Sequence, residues 1–544
     1  MRLDQLRIGE FKNLRDVYVD FDEKSPYTVL IGGNGTGKSN LIEAIAWIFR
    51  NLDLDEPAPF DYEITYFCRG NHIRVVAQYR RTPRFSIRRC GEEGYSKLSR
   101  LEFMKEDDEE RPLYRPAFIF GYYSGPSDRL AEVFERHRER YRKHIIKPAD
   151  KRKSGPVRSN SLRRLFYAQT VHGQFALLAF FINPTGREPD DRDFLKKYLR
   201  IDSLDSVLFA LKEPEWDWKN RKGGDERFWR AEGEVKDLLG RLVTEAMPPL
   251  RMQRRMAVEL AKNPLVDNVY LFLPNQESLV KAFAHYENQY GVFTALESID
   301  ISTLLGEVVT RVKITPDAGG GAVTYRDLSE GEQQLLLVLG LLKFTAEDEA
   351  LFLLDEPDTH LNPTWSVEYL QFLDRFVNRR ENCHILMSTH DPLLFASLLR
   401  EQVRIIRRDV DGSLTVEEPT EDPQGMGIEA ILTSDLFRLP STLDRPTQEL
   451  LDRRRRLSFK ATPLNDEERR ELAEINEKLR PLAFSKTSRD PLYQLFIEAW
   501  TAQEDPAWLA ASQLTEEQRQ ERVSLAHKIV AEIRAETSVA HDEH

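Results

Sequence analysis

One octapeptide constrains this chain more than any other feature: Gly32-Gly33-Asn34-Gly35-Thr36-Gly37-Lys38-Ser39, followed by Asn40. It stands between a short apolar run at 27–31 and a longer one at 41–49 that reads as a buried helix. Strand, glycine loop and helix in that order open an α/β nucleotide-binding domain. The spacing G-x-x-x-x-G-K-S is that of a phosphate-binding loop. Glycines let backbone N–H groups turn inward around phosphates, and the following helix aims its positive end at them. In this reading Gly32, Asn34, Gly35, Thr36, Gly37 and Asn40 form the cradle, and Lys38 neutralises the β- and γ-phosphates. Ser39 gives its hydroxyl to Mg²⁺, so ATP and Mg²⁺ are the expected cofactors.

A second run, Leu351-Phe352-Leu353-Leu354-Asp355-Glu356-Pro357, is a buried strand that ends in two acids. Paired with the glycine loop, Asp355 becomes a metal-shell carboxylate alongside Ser39, and Glu356 a general base that polarises the attacking water. Upstream lies Leu328-Ser329-Glu330-Gly331-Glu332-Gln333, ahead of an apolar helical run. A serine with a glutamate three residues on is also a helix capping box, and the two readings are compatible. Downstream come Asp358-Thr359-His360-Leu361 and, after another strand-like run at 384–388, Ser388-Thr389-His390-Asp391-Pro392. A lone histidine after a strand is most often structural, and only its place in this order gives His390 a catalytic reading.

The order of these motifs resembles the ABC/SMC-type ATPases. The resemblance covers about 1–125 and 305–410. It implies an ABC-type P-loop head in which Ser329, Gly331, Glu332 and Gln333 form a signature that binds the γ-phosphate held by the other subunit. It also implies that residues 358–361 are a D-loop crossing a dimer interface, and that His390 is a switch histidine touching the γ-phosphate. A homodimer or higher homo-oligomer with sandwiched ATP follows from the same resemblance. The long gap between P-loop and signature is similar to that of SMC and OLD-type ATPases, yet no heptad run is long enough for an SMC coiled coil. The family's glutamine-bearing Q-loop is not evident, because 117–125 has no glutamine. More broadly the chain resembles the ATPase family of Septu and retron-associated antiphage systems, the PtuA type. That likeness rests on Phe11-Lys12-Asn13-Leu14, Tyr122-Tyr123-Ser124-Gly125, the signature, and the helical tail with Gly427-Ile428-Glu429-Ala430-Ile431-Leu432. It implies an HNH nuclease partner of the PtuB kind, a reverse transcriptase with its msDNA as a further partner, and nucleic acid as the eventual target.

Length and charge frame these readings. The chain has 544 residues, enough for several compact units, and a formal net charge of −12, which excludes a generic polyanion binder. Cys68, Cys90 and Cys383 are too few and too scattered for a disulfide framework or a four-ligand zinc site. The longest apolar runs are too short to span a bilayer, so a cytoplasmic protein without membrane contact is expected. The expected organisation is an N-terminal ATPase lobe at 1–128, a basic loop and helical insertion at 129–304, a C-terminal ATPase lobe at 305–422, and a charged helical tail at 423–544. The fold class is α/β with helical additions, and the tail is the candidate partner-docking region.

Within the insertion, Arg152, Lys153, Arg158, Arg163 and Arg164, with Phe166 and Tyr167 nearby, are candidate phosphate contacts, though charge runs are usually solvated faces. Arg453-Arg454-Arg455-Arg456 is a second candidate. Asp409-Val410-Asp411-Gly412 carries the letters of an acidic nuclease site but reads as a hairpin turn. Three functions stay open on these residues: a nuclease-partnered defence ATPase, a DNA-repair or recombination ATPase acting on DNA ends, and a slowly hydrolysing nucleotide-dependent scaffold.

Overall fold

The computed structural model describes all residues except 22–23, 109–110, 146–163, 183–191, 256–264, 346–348, 377–382, 410, 459–463, 483–523 and 531–544. The chain opens with β1 (Arg2–Phe11), β2 (Leu14–Asp20), β3 (Tyr27–Ile31) and α1 (Lys38–Leu54). There follow β4 (Tyr62–Cys68), β5 (Asn71–Ala77), β6 (Arg84–Arg89), β7 (Ser96–Leu98), α2 (Arg100–Phe103) and β8 (Phe118–Tyr123). The next stretch runs α3 (Arg129–Ile145), β9 (Leu165–Tyr167), α4 (Thr170–Phe181), α5 (Arg192–Leu199), β10 (Ile201–Lys212) and α6 (Gly233–Glu245). It continues with β11 (Leu250–Arg255), β12 (Leu265–Leu273), α7 (Gln276–Ala282), α8 (Gln289–Ile301), β13 (Leu305–Ile314) and β14 (Ala322–Thr324). The motif-bearing end contains α9 (Glu330–Thr345), β15 (Ala350–Asp355), α10 (Pro363–Phe376), β16 (Cys383–Ser388), α11 (Pro392–Phe395), β17 (Val403–Arg408) and β18 (Leu414–Glu417). Then come α12 (Ile428–Thr433), α13 (Arg445–Ser458) and α14 (Asp466–Leu479).

The centre is a seven-stranded sheet ordered β18-β17-β3-β16-β15-β8-β9, parallel except where β18 turns back on β17. Its strands are apolar because both faces are covered. Along β15, Leu351 and Leu353 join the core that contains α1 and the first sheet. Phe352 and Leu354 point the opposite way, into the core that holds α4, α8 and α9. Beside it stands a six-stranded antiparallel sheet, β2-β1-β4-β5-β6-β7, whose inward residues Leu6, Ile8, Ile64 and Val75 pack with Ile42, Ile45 and Phe49 of α1. The α/β class expected from the sequence is the class observed.

The 165–305 stretch is less helical than its sequence reads. It keeps α4 to α8, but β10, β11 and β12 pair with β13 and β14 in a five-stranded antiparallel sheet, β11-β12-β10-β13-β14. The reason lies in β10, where the register with β13 shifts between Ile201 and Ser203, Leu204 and Ser206, and Ala210 and Leu211. Each irregularity breaks the two-residue alternation that identifies a strand. What remains, Val207 to Leu211, is an apolar run that also fits a buried helix.

Residues 1–437 form one compact unit and 438–544 a second. Residues 423–437, with α12, pack within the first. In the second, α13 and α14 bury Leu451, Leu457, Ile475 and Leu479 between them. Asn465 with Glu468 three residues on has the sequence of a capping box, and the two form one at the start of α14. Arg453 is committed to Glu471, at 2.6 Å, so that member of the second basic cluster is paired with a carboxylate. The tail sequence also carries helix-start signals in Pro491 after Asp490 and in Thr515 with Gln518, and both lie outside the described residues. Among the described residues no helix is long and apolar enough to cross a membrane.

Candidate functional site

The glycine loop follows β3 and runs into α1, as its sequence requires. Gly37 adopts φ 102°, a left-handed conformation, and a Cβ there would lie 2.8 Å from Leu14 Cδ2 and 3.0 Å from Asn13 Oδ1. Only glycine meets both demands. The loop is held from outside by the β1–β2 turn. Asn13 Nδ2 donates to Gly35 O at 3.0 Å, Asn40 Nδ2 donates to Asn13 Oδ1 at 2.6 Å, and Lys12 pairs with Glu43 of α1. Arg408 of β17 donates to Gly35 O from the other side, at 3.2 Å. Thr36 Oγ1 closes the turn by donating to Gly33 O at 2.9 Å. The structural roles of Lys12, Asn13 and Arg408 were not legible, because they reach the loop and its helix from the β1–β2 turn and from β17.

Lys38 curls over the loop, and its ammonium donates to Gly32 O at 2.8 Å. Burial lowers its pKa, while the nearby Glu356 and Asp355 carboxylates pull the other way. A buried cation facing a ring of backbone groups is a ready anion partner.

β15 lies two strands from β3, with β16 between them, so Asp355 and Glu356 arrive at the same sheet edge as the loop. Asp355 is 3% exposed and accepts a hydrogen bond from Ser388 at the end of β16. Its other oxygen lies 3.3 Å from Arg129, the first residue of α3. Glu356 sits at φ 55°, with its N–H donating to Ser388 O at 3.0 Å. That kink takes its side chain out of the strand direction and sets Oε1 3.2 Å from His390 Nε2. Burial and the Lys38 charge lower the His390 pKa, which favours a neutral ring, while the nearby Glu356 and Asp355 carboxylates pull the other way. The fit of a divalent cation rests on donor chemistry: the hydroxyl of Ser39, one buried carboxylate, phosphate oxygens and water are the hard oxygen set that Mg²⁺ takes.

The signature residues are built differently. Ser329 caps α9: its N–H donates to Glu332 Oε2 at 2.7 Å and its Oγ accepts from the Glu332 N–H. The capping box is therefore present. Gly331 lies against the D-loop, and a Cβ on it would come within 2.5 Å of His360 O. Gln333 donates to Leu328 O at 2.8 Å. Gln334, overlooked in the sequence, is buried and ties the signature helix to the acidic strand end. It donates to Glu356 O at 3.4 Å and accepts from His360 N–H at 3.1 Å. Its position in the inward face of α9 is a helical-period signal that could have found it. Among the described residues, no hydrogen bond or ion pair joins 329–333 to the glycine loop of the same chain. Ser329, Gly331 and Glu332 instead line an open cavity of about 880 Å³ with Lys197, Arg200 and Trp365.

The D-loop is anchored by Asp358, whose buried carboxyl is pushed up to about 6 by desolvation and accepts from Thr389. At the end of β8, Ser124 stands where a Q-loop glutamine was sought. Its N–H donates to Asp355 O at 3.3 Å, and its hydroxyl lies 3.0 Å from that of Thr359. Asp409, Asp411 and Gly412 lie between β17 and β18, with Asp409 N–H donating to Ser413 O and Gly412 N–H to Asp409 O, as a hairpin turn requires; Val410 lies outside the described residues.

The nucleic-acid assignment needs correction at Arg164. This guanidinium is buried and shared between Asp53, at 2.9 Å, and Glu106, and Phe166 belongs to the core. It is a structural cation: Arg164 and Arg115 together face the carboxylates of Asp53 and Glu106, two cations against two anions. Arg152, Lys153, Arg158 and Arg163 lie outside the described residues.

Comparison with known proteins gives two curated relatives. The Septu protein PtuA of Bacillus mycoides (strain KBAB4) is 24% identical over 273 residues, 48% of this chain and 37% of that protein. The retron Vc95 "probable ATPase" of Vibrio cholerae serotype O1 biovar El Tor is 28% identical over 138 residues, 23% of this chain and 25% of that protein. The matches thus span well under half of the length of these relatives. Among solved structures, an SMC head bound to the C-terminal winged-helix domain of ScpA aligns over 77% of this chain and 98% of its own, at 12% identity and a TM-score of 0.29. The family described as "AAA domain, putative AbiEii toxin, Type IV TA system" matches residues 27–396, more than half of the chain, and the protein belongs to it.

Proposed function

We propose that this chain binds and hydrolyses ATP as the ATPase subunit of an antiphage defence complex, and that ATP-sandwich dimerisation controls a partner HNH nuclease. The observation that carries the reading is the meeting of three groups at one sheet edge: Lys38 over its carbonyls, Asp355 at the strand end, and Glu356 directed at His390. In the proposed reaction water attacks the γ-phosphorus of ATP, Glu356 takes the proton, and ADP and phosphate leave. His390 holds the Glu356 carboxylate in place and lies beside the γ-phosphate. Ser39 and Asp355 would hold the Mg²⁺ shell, which would supply charge neutralisation at the phosphates.

Dimerisation is supported by the signature's own construction. Ser329 and the Gly331 backbone sit on the rim of an open cavity with no bond to their own glycine loop, so a second copy is the natural source of the phosphate they bind. The defence role draws on the names of the relatives, Septu PtuA and the retron Vc95 ATPase. A nuclease of the PtuB kind, a reverse transcriptase with msDNA, and a nucleic-acid target are proposed on the same ground. The proposed division of labour assigns 1–128 and 305–422 to the ATPase lobes, 129–304 to the insertion, and 423–544 to nuclease docking.

Glu356→Gln tests the assignment. It is expected to keep nucleotide binding, raise the dimer fraction in sedimentation with ATP, and slow turnover by ~100-fold or more, the usual contribution of a general base. Turnover equal to the native protein's would remove Glu356 from the mechanism. Copurification of a nuclease from native cells tests the partner, and binding to free DNA ends without one favours the repair reading.

A further inference from the structure

Arg129 is placed where no motif would put it. It opens α3, and its guanidinium makes three contacts: Asp355 Oδ2 at 3.3 Å, Asn40 Oδ1 at 3.3 Å, and the Tyr123 ring, 5.1 Å from its centroid. Because Ser388 donates to Asp355 Oδ1, both oxygens of this buried carboxylate have partners. A divalent cation approaching Oδ2 therefore meets a fixed positive charge on the same oxygen, and the two repel.

We propose that Arg129 is an exchangeable counter-ion of Asp355, whose displacement by Mg²⁺ frees the first turns of α3 and carries nucleotide state into the insertion. The proposal rests on the ATP-site reading above and adds a residue and a route to it. The geometry restricts the motion to the start of the helix. Farther along α3, His137 Nε2 lies 3.0 Å from Asp53 Oδ2, at the far end of α1, and Arg138 pairs with Asp300 of α8 at 3.3 Å. His137 is 2% exposed and Asp53 is held by Arg115 and Arg164 as well, so this point acts as a pivot. Before it, the first turn is tied by Arg129 itself, by Arg129 N–H to Ser127 Oγ at 3.3 Å and by Glu132 N–H to Asp128 O at 3.0 Å, while Leu130, Val133 and Phe134 are buried and Arg136 pairs with Glu56, so release loosens the turn about side chains that stay packed. Releasing Arg129 removes the single side-chain tie between the metal carboxylate and the helix start among the described residues.

The experiment uses the full chain, a fluorescent ADP analogue, a Mg²⁺ titration, and hydrogen exchange over 129–138. In the native protein, Mg²⁺ with ADP is expected to speed exchange over 129–136 and leave 137–138 protected. Arg129→Ala is expected to lower the Mg²⁺ midpoint roughly 3–10-fold, because a competing cation is gone, and to abolish the Mg²⁺-linked change in exchange. Arg129→Lys keeps the charge without the two-pronged grip, so its midpoint should stay nearer the native one. An unchanged or raised midpoint in Arg129→Ala, with ADP still bound, overturns the proposal, as does native ADP binding with no change in α3 exchange. Failure of the native protein to bind ADP at all overturns the ATP-site reading, and this proposal with it.

Discussion

The two halves of the site occupy one edge of one protein but are built on different terms. The glycine loop is closed within the chain: Thr36 and Lys38 are buried, and Asn13, Asn40 and Arg408 fasten the loop from three elements. The signature segment is anchored from beneath, through Gly331 against His360, Glu330 paired with His360 and Gln334 on the acidic strand end, while Ser329 and Glu330 are exposed. A loop held in shape by its own chain can bind a ligand alone. A capped helix start whose outer face is open needs something brought to it.

Three substitutions press on that contrast. Lys38→Ala removes the cation of the closed half. It should weaken ATP binding by about 10- to 100-fold, the loss of one charge-assisted interaction of ~1.5–3 kcal/mol, in monomer and dimer alike. Fluorescent-nucleotide titration reads this directly, and equal affinity would dissolve the idea of a self-sufficient half. Ser329→Asp retains a good N-cap, so thermal stability should hold, but it sets a negative charge where the partner's triphosphate is proposed to lie. Nucleotide binding by the monomer should be unchanged, with ATP-dependent dimerisation and turnover reduced ~10-fold or more. If Ser329→Asp dimerises normally, the signature is only a capped helix.

The smallest effect concerns what supports the closed half. His384 lies near the start of β16, accepts from Leu3 N–H at 2.9 Å through Nδ1, and has its other nitrogen 3.0 Å from Thr28 of β3, the strand that leads into the loop. Burial pushes its pKa down to about 3, well below the ordinary histidine value. Its depressed folded pKa means that the neutral ring contributes stability above about pH 6.5, and that this is lost as pH falls toward 3. The native thermal midpoint should drop across that window. His384→Asn, which keeps an acceptor for Leu3, should flatten this part of the profile at the cost of a few degrees at neutral pH. A parallel decline in both proteins would assign acid sensitivity elsewhere.

Much of this was legible because its causes are local. The glycine spacing at 32–37, the apolar run of β15 ending in Asp355-Glu356, the capping boxes at Ser329 and Asn465, and the turn at Asp411-Gly412 each depend on neighbours within a few residues. β10 was missed because bulges scrambled its alternation. Arg164 was misread because its charge alone does not reveal Asp53, more than a hundred residues away.

The sequence by itself determined that a phosphate loop, an acidic strand end and a signature-like helix start exist, since strand period, helix caps and glycine conformations follow from short-range sterics. Tertiary structure decided what stands beside them. Arg129 meets Asp355, Gln334 bridges Glu356 and His360, and Glu356 turns toward His390 only because parallel strands remote in sequence end at a common edge. Those encounters depend on strand order and register, and no local pattern encodes which strands will pair.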